Sequence, residues 1–141
     1  MKKFLPLLLC GFLSVASCSR VEEKVVSTLL SNYVNAQEAL AADDLAAAMV
    51  AFTAIAKATE SEMAKIGIEI SQTRNLETAR SKFKVISEHI VEMELPDGYI
   101  VAHCPMADKG HGADWVQQEG DIANPYFGAA MKGCGSIKET F

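Results

Sequence analysis

Between Val21 and Met93 apolar side chains recur at steps of three and four residues, and this periodicity constrains the chain more than any other feature. The first stripe runs through Val21, Val25, Val26, Leu29, Leu30, Tyr33, Val34 and Leu40. Asp43 and Asp44 then offer N-cap side chains for a second, through Leu45, Ala48, Met49, Phe52, Ile55 and Ala56. A third segment, Glu60 to Ile70, carries Met63, Ile66 and Ile70 on one side and is interrupted by Gly67. Ser71 to Asn75 supplies break and cap residues. Leu76, Ala79, Phe83, Ile86, Ile90 and Met93 form the most regular stripe, and Leu95-Pro96-Asp97-Gly98 ends it. One-sided stripes must bury against one another. The expected fold is mainly α, an antiparallel three- or four-helix bundle.

The chain has 141 residues, room for one domain. With 50% apolar and 22% charged residues it has the composition of a globular protein rather than a disordered one. Its formal charge is −5, with no Lys/Arg cluster in the body, which argues against nucleic acid as a partner.

The N-terminus reads as a targeting segment. Lys2 and Lys3 precede an apolar stretch from Phe4 to Val15, too short for a bilayer helix but suited to export. Val15-Ala16-Ser17-Cys18 resembles the lipobox of bacterial lipoproteins, in which the cysteine is lipidated and becomes the new N-terminus. The expected organisation is a signal peptide over 1–17, a lipidated tether over 18–20 and one domain over 21–141. Several acyl chains on Cys18 give a firm anchor where one alone would not. Ser19, rather than an aspartate, follows Cys18, which favours the outer over the inner membrane. Loss of Lys2 and Lys3 takes the formal charge from −5 to −7. Cys10 leaves with the signal, so Cys104 and Cys134 are the thiols left for chemistry.

After Gly98 the character changes. Tyr99 to Ala102 is a short β-prone run, and the rest of 99–141 reads as loop with one short β hairpin and one helical turn near Ala129 to Lys132. Two sulfur pairs lie here. Cys104-Pro105-Met106 places a thiol and a thioether two residues apart, and Met131-Lys132-Gly133-Cys134 places them three apart. Thiolate and thioether donors together suit Cu(I) or Ag(I), with Zn(II) a further candidate, and His103 and His111 offer borderline imidazoles. The plain alternative is a Cys104–Cys134 disulfide, the default in an oxidising compartment, worth roughly 3–4 kcal/mol in the chain-entropy model. Methionine is also a common core filler. On spacing alone both readings stay open. A third, Cys104 as a nucleophile activated by His103, is geometrically poor because adjacent strand residues point to opposite faces.

The ordered blocks His103-Cys104-Pro105-Met106-Ala107, Gly112-Ala113-Asp114-Trp115, Asn124-Pro125-Tyr126-Phe127-Gly128 and Met131-Lys132-Gly133-Cys134-Gly135 resemble a bacterial envelope domain family of unknown function. That domain occurs at the end of copper/silver efflux adaptors of the membrane-fusion type and as stand-alone lipoproteins. The likeness extends to Tyr33, Ala39 and Leu40, and to Ala79-Arg80-Ser81-Lys82-Phe83 with Ser87. The resemblance implies a helical bundle whose sulfur-rich end handles heavy metals. It assigns Cys104, Met106, Met131 and Cys134 as ligands, and Trp115, Asn124, Pro125, Tyr126 and Phe127 as the frame around them. His103 stands where the family has an aromatic residue or a cysteine, and joins the ligand set only as an accessory imidazole. The expectation is a lipid-anchored periplasmic metal-binding protein, not an enzyme, that captures or delivers Cu(I) to a copper/silver efflux or copper-handling envelope protein. The alternative expectation is a non-metal interaction module closed by the disulfide.

Overall fold

A computed structural model describes residues 15–59 and 62–138, with side chains from residue 23 onward. The signal-peptide reading over residues 1–14 lies outside the described residues, and so does the side chain of Cys18. Four helices come first: α1 (Val15–Ala41), α2 (Leu45–Ala58), α3 (Glu62–Ser71) and α4 (Leu76–Ile90). A small sheet follows, built from β1 (Tyr99–Cys104), β2 (Ala113–Gln118) and β3 (Ser136–Ile137). No helix among the described residues is long and apolar enough to cross a membrane.

The helices form where the periodicity places them, and their stripes meet in one core. Leu29, Leu30, Tyr33, Val34 and Leu40 of α1 are buried with Phe52 and Ile55 of α2, Ile70 of α3, and Phe83, Ile86 and Ile90 of α4. Val25, nearer the start of the first stripe, is exposed instead. Gln37, a polar residue in the middle of that stripe, is buried. Gly67, which interrupts α3 in sequence, sits where α3 comes close against α2: a Cβ there would lie 2.9 Å from the Phe52 carbonyl oxygen.

Helix α1 begins at Val15, ahead of the expected start at Val21 and through the expected tether at 18–20, and two later details also differ from expectation. Asp44 alone caps α2, its carboxylate accepting from the Ala47 N–H at 2.9 Å. Asp43 sits in the left-handed region at φ 59° and turns its side chain to the C-terminal segment. Helix α4 stops at Ile90 rather than Met93, because the chain turns off through Val91 well before Pro96 can break it.

The segment after Gly98 holds more sheet than one hairpin. Strands β1 and β2 pair antiparallel, and β3 adds to the other side of β1, giving the order β2-β1-β3. The expected helical turn exists as a 3₁₀ turn over Gly128–Met131.

Candidate metal centre

Strand alternation divides the candidate residues between two faces. The register sets Cys104 opposite Ala113 and Ala102 opposite Trp115, and it sets His103 opposite Asp114. Cys104, Trp115 and Gln117 therefore share one face, and His103 shares the other with Asp114.

Residues 121–135 lie over the first face. Gln117 Oε1 accepts from Trp115 Nε1 at 3.0 Å and from the Ala123 N–H at 3.1 Å, while its Nε2 donates to the Asp121 carbonyl at 3.0 Å. Gln37 reaches from α1 to donate to the Ala123 carbonyl at 2.5 Å. Asn124 is the hub of this loop. Its Nδ2 donates to the Cys134 carbonyl at 2.7 Å, and its Oδ1 accepts from the N–H groups of Tyr126 (2.8 Å) and Phe127 (3.3 Å). The work requires an amide: a carboxylate has no donor for Cys134. The Asn124 N–H also donates to the Lys132 carbonyl at 2.7 Å, so this one residue ties both limbs of the loop.

This frame delivers Cys134 to Cys104. The two Sγ atoms are 3.0 Å apart, and both residues are free thiols. Cys104 is fully buried, and Cys134 is half-buried. Gly135 permits the approach at φ 137°, since a Cβ there would stand 2.7 Å from the His103 carbonyl oxygen and 2.9 Å from the Trp115 ring. The hydrogen bond to Cys104, aided by desolvation, pushes the Cys134 thiol above its ordinary pKa of 9.0.

The other candidates are placed differently. Met106 is 51% exposed and lines a cleft with Lys84, Asp108 and Phe127 that includes neither cysteine. Met131 is 39% exposed on the 3₁₀ turn, and its carbonyl accepts from the Cys134 N–H at 3.0 Å. His103 Nδ1 lies 2.6 Å from Asp114 Oδ1, on the face away from the thiols. His111 Nδ1 is 2.8 Å from the Asp108 carbonyl, on an exposed turn. The structure thus brings two of the four sulfurs together and leaves both methionines partly exposed outside that pair. Among the described residues no three His, Cys, Asp or Glu side chains gather as a metal cluster.

The aromatic frame locks this assembly onto the bundle. Tyr126 stands edge-on to Trp115, with centroids 6.0 Å apart, and its hydroxyl donates to the Asp114 carbonyl at 2.7 Å. Tyr33 OH accepts from the Val116 N–H at 3.2 Å and pairs with Ser87 Oγ at 2.5 Å. Burial pushes the Tyr33 phenol far above its ordinary range, so it stays a neutral hydroxyl.

Sequence reasoning did not find the second anchor, made by Asp43 and Arg80. Arg80 pairs with Asp43 and donates from Nε to the Pro125 carbonyl and from Nη2 to the Leu40 carbonyl, both at 2.9 Å. Asp43 also accepts from the Ala129 N–H at 3.1 Å. The only sequence signal was a second aspartate beside a position that needs one cap. The bond from Arg80, with that from Ala129, holds the Asp43 carboxyl below its ordinary range. Asp114 is also lowered: burial pushes it up, but the hydrogen bonds from Lys138 and His103 outweigh that. Folded values below the unfolded ones mean that both carboxylates stabilise the fold above about pH 4, a contribution lost as pH falls through the depressed values.

Gly128 sits against this anchor at φ 58°, where a Cβ would fall 1.9 Å from Asp43 Oδ1 and 2.2 Å from Arg80 Nη2. Gly128→Ala is expected to lower unfolding stability by about 2 kcal/mol, from left-handed strain and the displaced ion pair. Urea unfolding measures it. An unchanged midpoint would show that the anchor contributes nothing to stability.

Comparison with protein-family models, with curated proteins and with solved structures gives no match to this chain, so the family resemblance stands on its residue blocks alone.

Proposed function

We propose that this protein captures a soft monovalent metal ion, Cu(I) or Ag(I), between Cys104 and Cys134. The observation that carries the reading is a pair of free thiols, 30 positions apart in sequence, held 3.0 Å apart by a dedicated loop. An ion about 2.3 Å from each sulfur sets them about 4 Å apart in a trigonal site and about 4.6 Å apart in a linear one, so capture opens the 3.0 Å pair by about 1 Å or more. The ion is cargo, and the chemistry is ligand exchange without bond-making catalysis. Low-coordinate soft ions suit two thiols better than Zn(II), which takes four donors in structural sites.

Met131 is the better placed of the two thioethers for a third donor. Its carbonyl accepts from the Cys134 N–H at 3.0 Å, so a single turn joins the two residues. Met106 and His103 take no part in the first capture on this reading. A second reading, an interaction module with a structural disulfide, is favoured by the same proximity together with the burial of Cys104.

Titration with Cu(I) against a competing chelator, oxygen excluded, separates the two. One ion bound per reduced chain supports capture. No uptake by the fully reduced chain would leave the disulfide reading.

On the same proposal, a lipid anchor at Cys18 holds the protein facing the periplasm, at the outer rather than the inner membrane, and its partner is a copper/silver efflux or copper-handling envelope protein. Cys18→Ala is expected to abolish lipid attachment, because that thiol accepts the acyl groups. Equal incorporation of labelled palmitate into wild type and variant would remove the lipoprotein reading.

A further inference from the structure

We infer that Cys104 and Cys134 form a reversible dithiol–disulfide pair in which Cys134 exchanges with small thiols and buried Cys104 resolves the mixed disulfide. This goes beyond metal capture and does not depend on it.

The asymmetry of the pair carries the argument. Cys104 is 0% exposed and fixed in β1, the central strand, which is paired with β2 on one side and β3 on the other. Cys134 is half-buried and lies in a loop between Gly133 and Gly135. A disulfide needs the sulfurs at about 2.05 Å, so closure from 3.0 Å is a movement of about 1 Å. That movement belongs to the Cys134 side chain, because Asn124 and Met131 hold the Cys134 backbone and the strand holds Cys104. Access decides which sulfur an external reagent reaches, and here that sulfur is Cys134.

With oxidised glutathione as the oxidant, the Cys134 thiolate attacks one glutathione sulfur. An S–S bond forms to Cys134, the glutathione disulfide breaks, and one glutathione leaves as its thiolate. Cys104, deprotonated, then attacks Cys134 Sγ and expels the second glutathione. The protein loses two electrons and two protons, and one glutathione disulfide becomes two glutathione thiols. If the capture reading also holds, the closed disulfide has no thiolate to offer at this centre, and the redox poise then gates capture; the exchange itself stands without that step.

The test uses the full chain with Cys10→Ser and Cys18→Ser throughout, incubated with oxidised glutathione without metal and read by intact mass. This background chain should release two glutathione molecules and end two hydrogens lighter, and dithiothreitol should reverse the change. Adding Cys104→Ser should stop the reaction at one glutathione on Cys134. Adding Cys134→Ser should leave Cys104 taking up glutathione at least about tenfold more slowly than Cys134 does in the Cys104→Ser chain. Urea removes that protection if burial is its cause, so the Cys134→Ser chain is compared in buffer and in urea. Equal rates in the two conditions, or glutathione captured as fast by Cys104 as by Cys134, would overturn the inference. Since no metal is present, failure here is distinct from failure of the capture reading.

Discussion

Replacing both Cys104 and Cys134 by serine is expected to lower Cu(I) affinity at least about 100-fold, the largest functional loss available in this chain. Each substitution removes an anionic soft donor from the one place where two sulfurs converge. Serine keeps nearly the same volume, so the buried position of Cys104 stays filled and the loop through Asn124 stays tied. Met131→Leu should cost much less, because the residue is 39% exposed and its thioether has to be recruited. Met106→Leu should have little effect, since its cleft includes neither thiol. This order, both cysteines far above Met131 and Met131 above Met106, separates a two-thiol centre from a four-sulfur one. Chelator competition on reduced, oxygen-free protein measures it. A double cysteine variant that competes as well as wild type removes the metal centre altogether.

The same centre has a pH signature with a definite sign. Metal binding needs the thiolate, and the bond to Cys104 keeps the proton on Cys134 to a pH above the ordinary value of 9.0. Through the neutral range Cys134 is protonated, and each ion bound displaces that proton. Affinity should therefore rise by about tenfold per pH unit between pH 6 and 8 from Cys134 alone. Thioethers carry no proton, so a centre made of methionines would show no slope. A flat profile would assign the ion to Met106 or Met131.

What could be read from the sequence divides along the range of the interactions involved. The helices were legible because their stripes repeat locally, and the residues at the centres of those stripes are the buried ones. Strand β2 was not: Ala113-Asp114-Trp115-Val116-Gln117-Gln118 reads as loop, with three polar residues and glycines nearby. Asp114 and Gln117 serve the fold through partners on other segments of the C-terminal region. Asp114 meets His103 and Lys138, and Gln117 receives Trp115 and Ala123. The meeting of Cys104 and Cys134 was legible because both open readings, a disulfide and a four-sulfur metal site, require it. Nothing in local spacing could show that Met106 turns to another cleft, or that Asp43 leaves the helix cap to hold the Ala129 N–H. Gln37, in the middle of an apolar stripe, was, with the doubled aspartate at 43–44, a local irregularity that marked where the tail docks.

Phe83→Ala is expected to cost about 3–5 kcal/mol, the largest stability loss in the bundle. The ring has no exposed surface, and three others meet it. Tyr33 of α1 stacks on it at 5.1 Å, Phe52 of α2 stands edge-on at 6.1 Å, and Tyr126 of the tail lies 5.9 Å away. Removing it leaves a cavity between two helices and the loop that positions Cys134, and rings anchored on three separate elements cannot collapse into it together. Aromatic pairs contribute about 0.5–1.5 kcal/mol each beyond area burial, which sets the upper part of the range. A domain of this size should lose roughly 10–20 °C in Tm. Val85, on the same helix but 40% exposed, supplies the control, and its alanine variant should stay within about 0.5 kcal/mol. Equal Tm values for the two variants would mean that the four-ring cluster does not hold the core. Because Tyr126 adjoins the Asn124 hub, Phe83→Ala should also speed labelling of Cys104 by a thiol reagent at temperatures where the helices persist. A labelling rate unchanged from wild type would show that the tail holds its thiols together without support from the bundle.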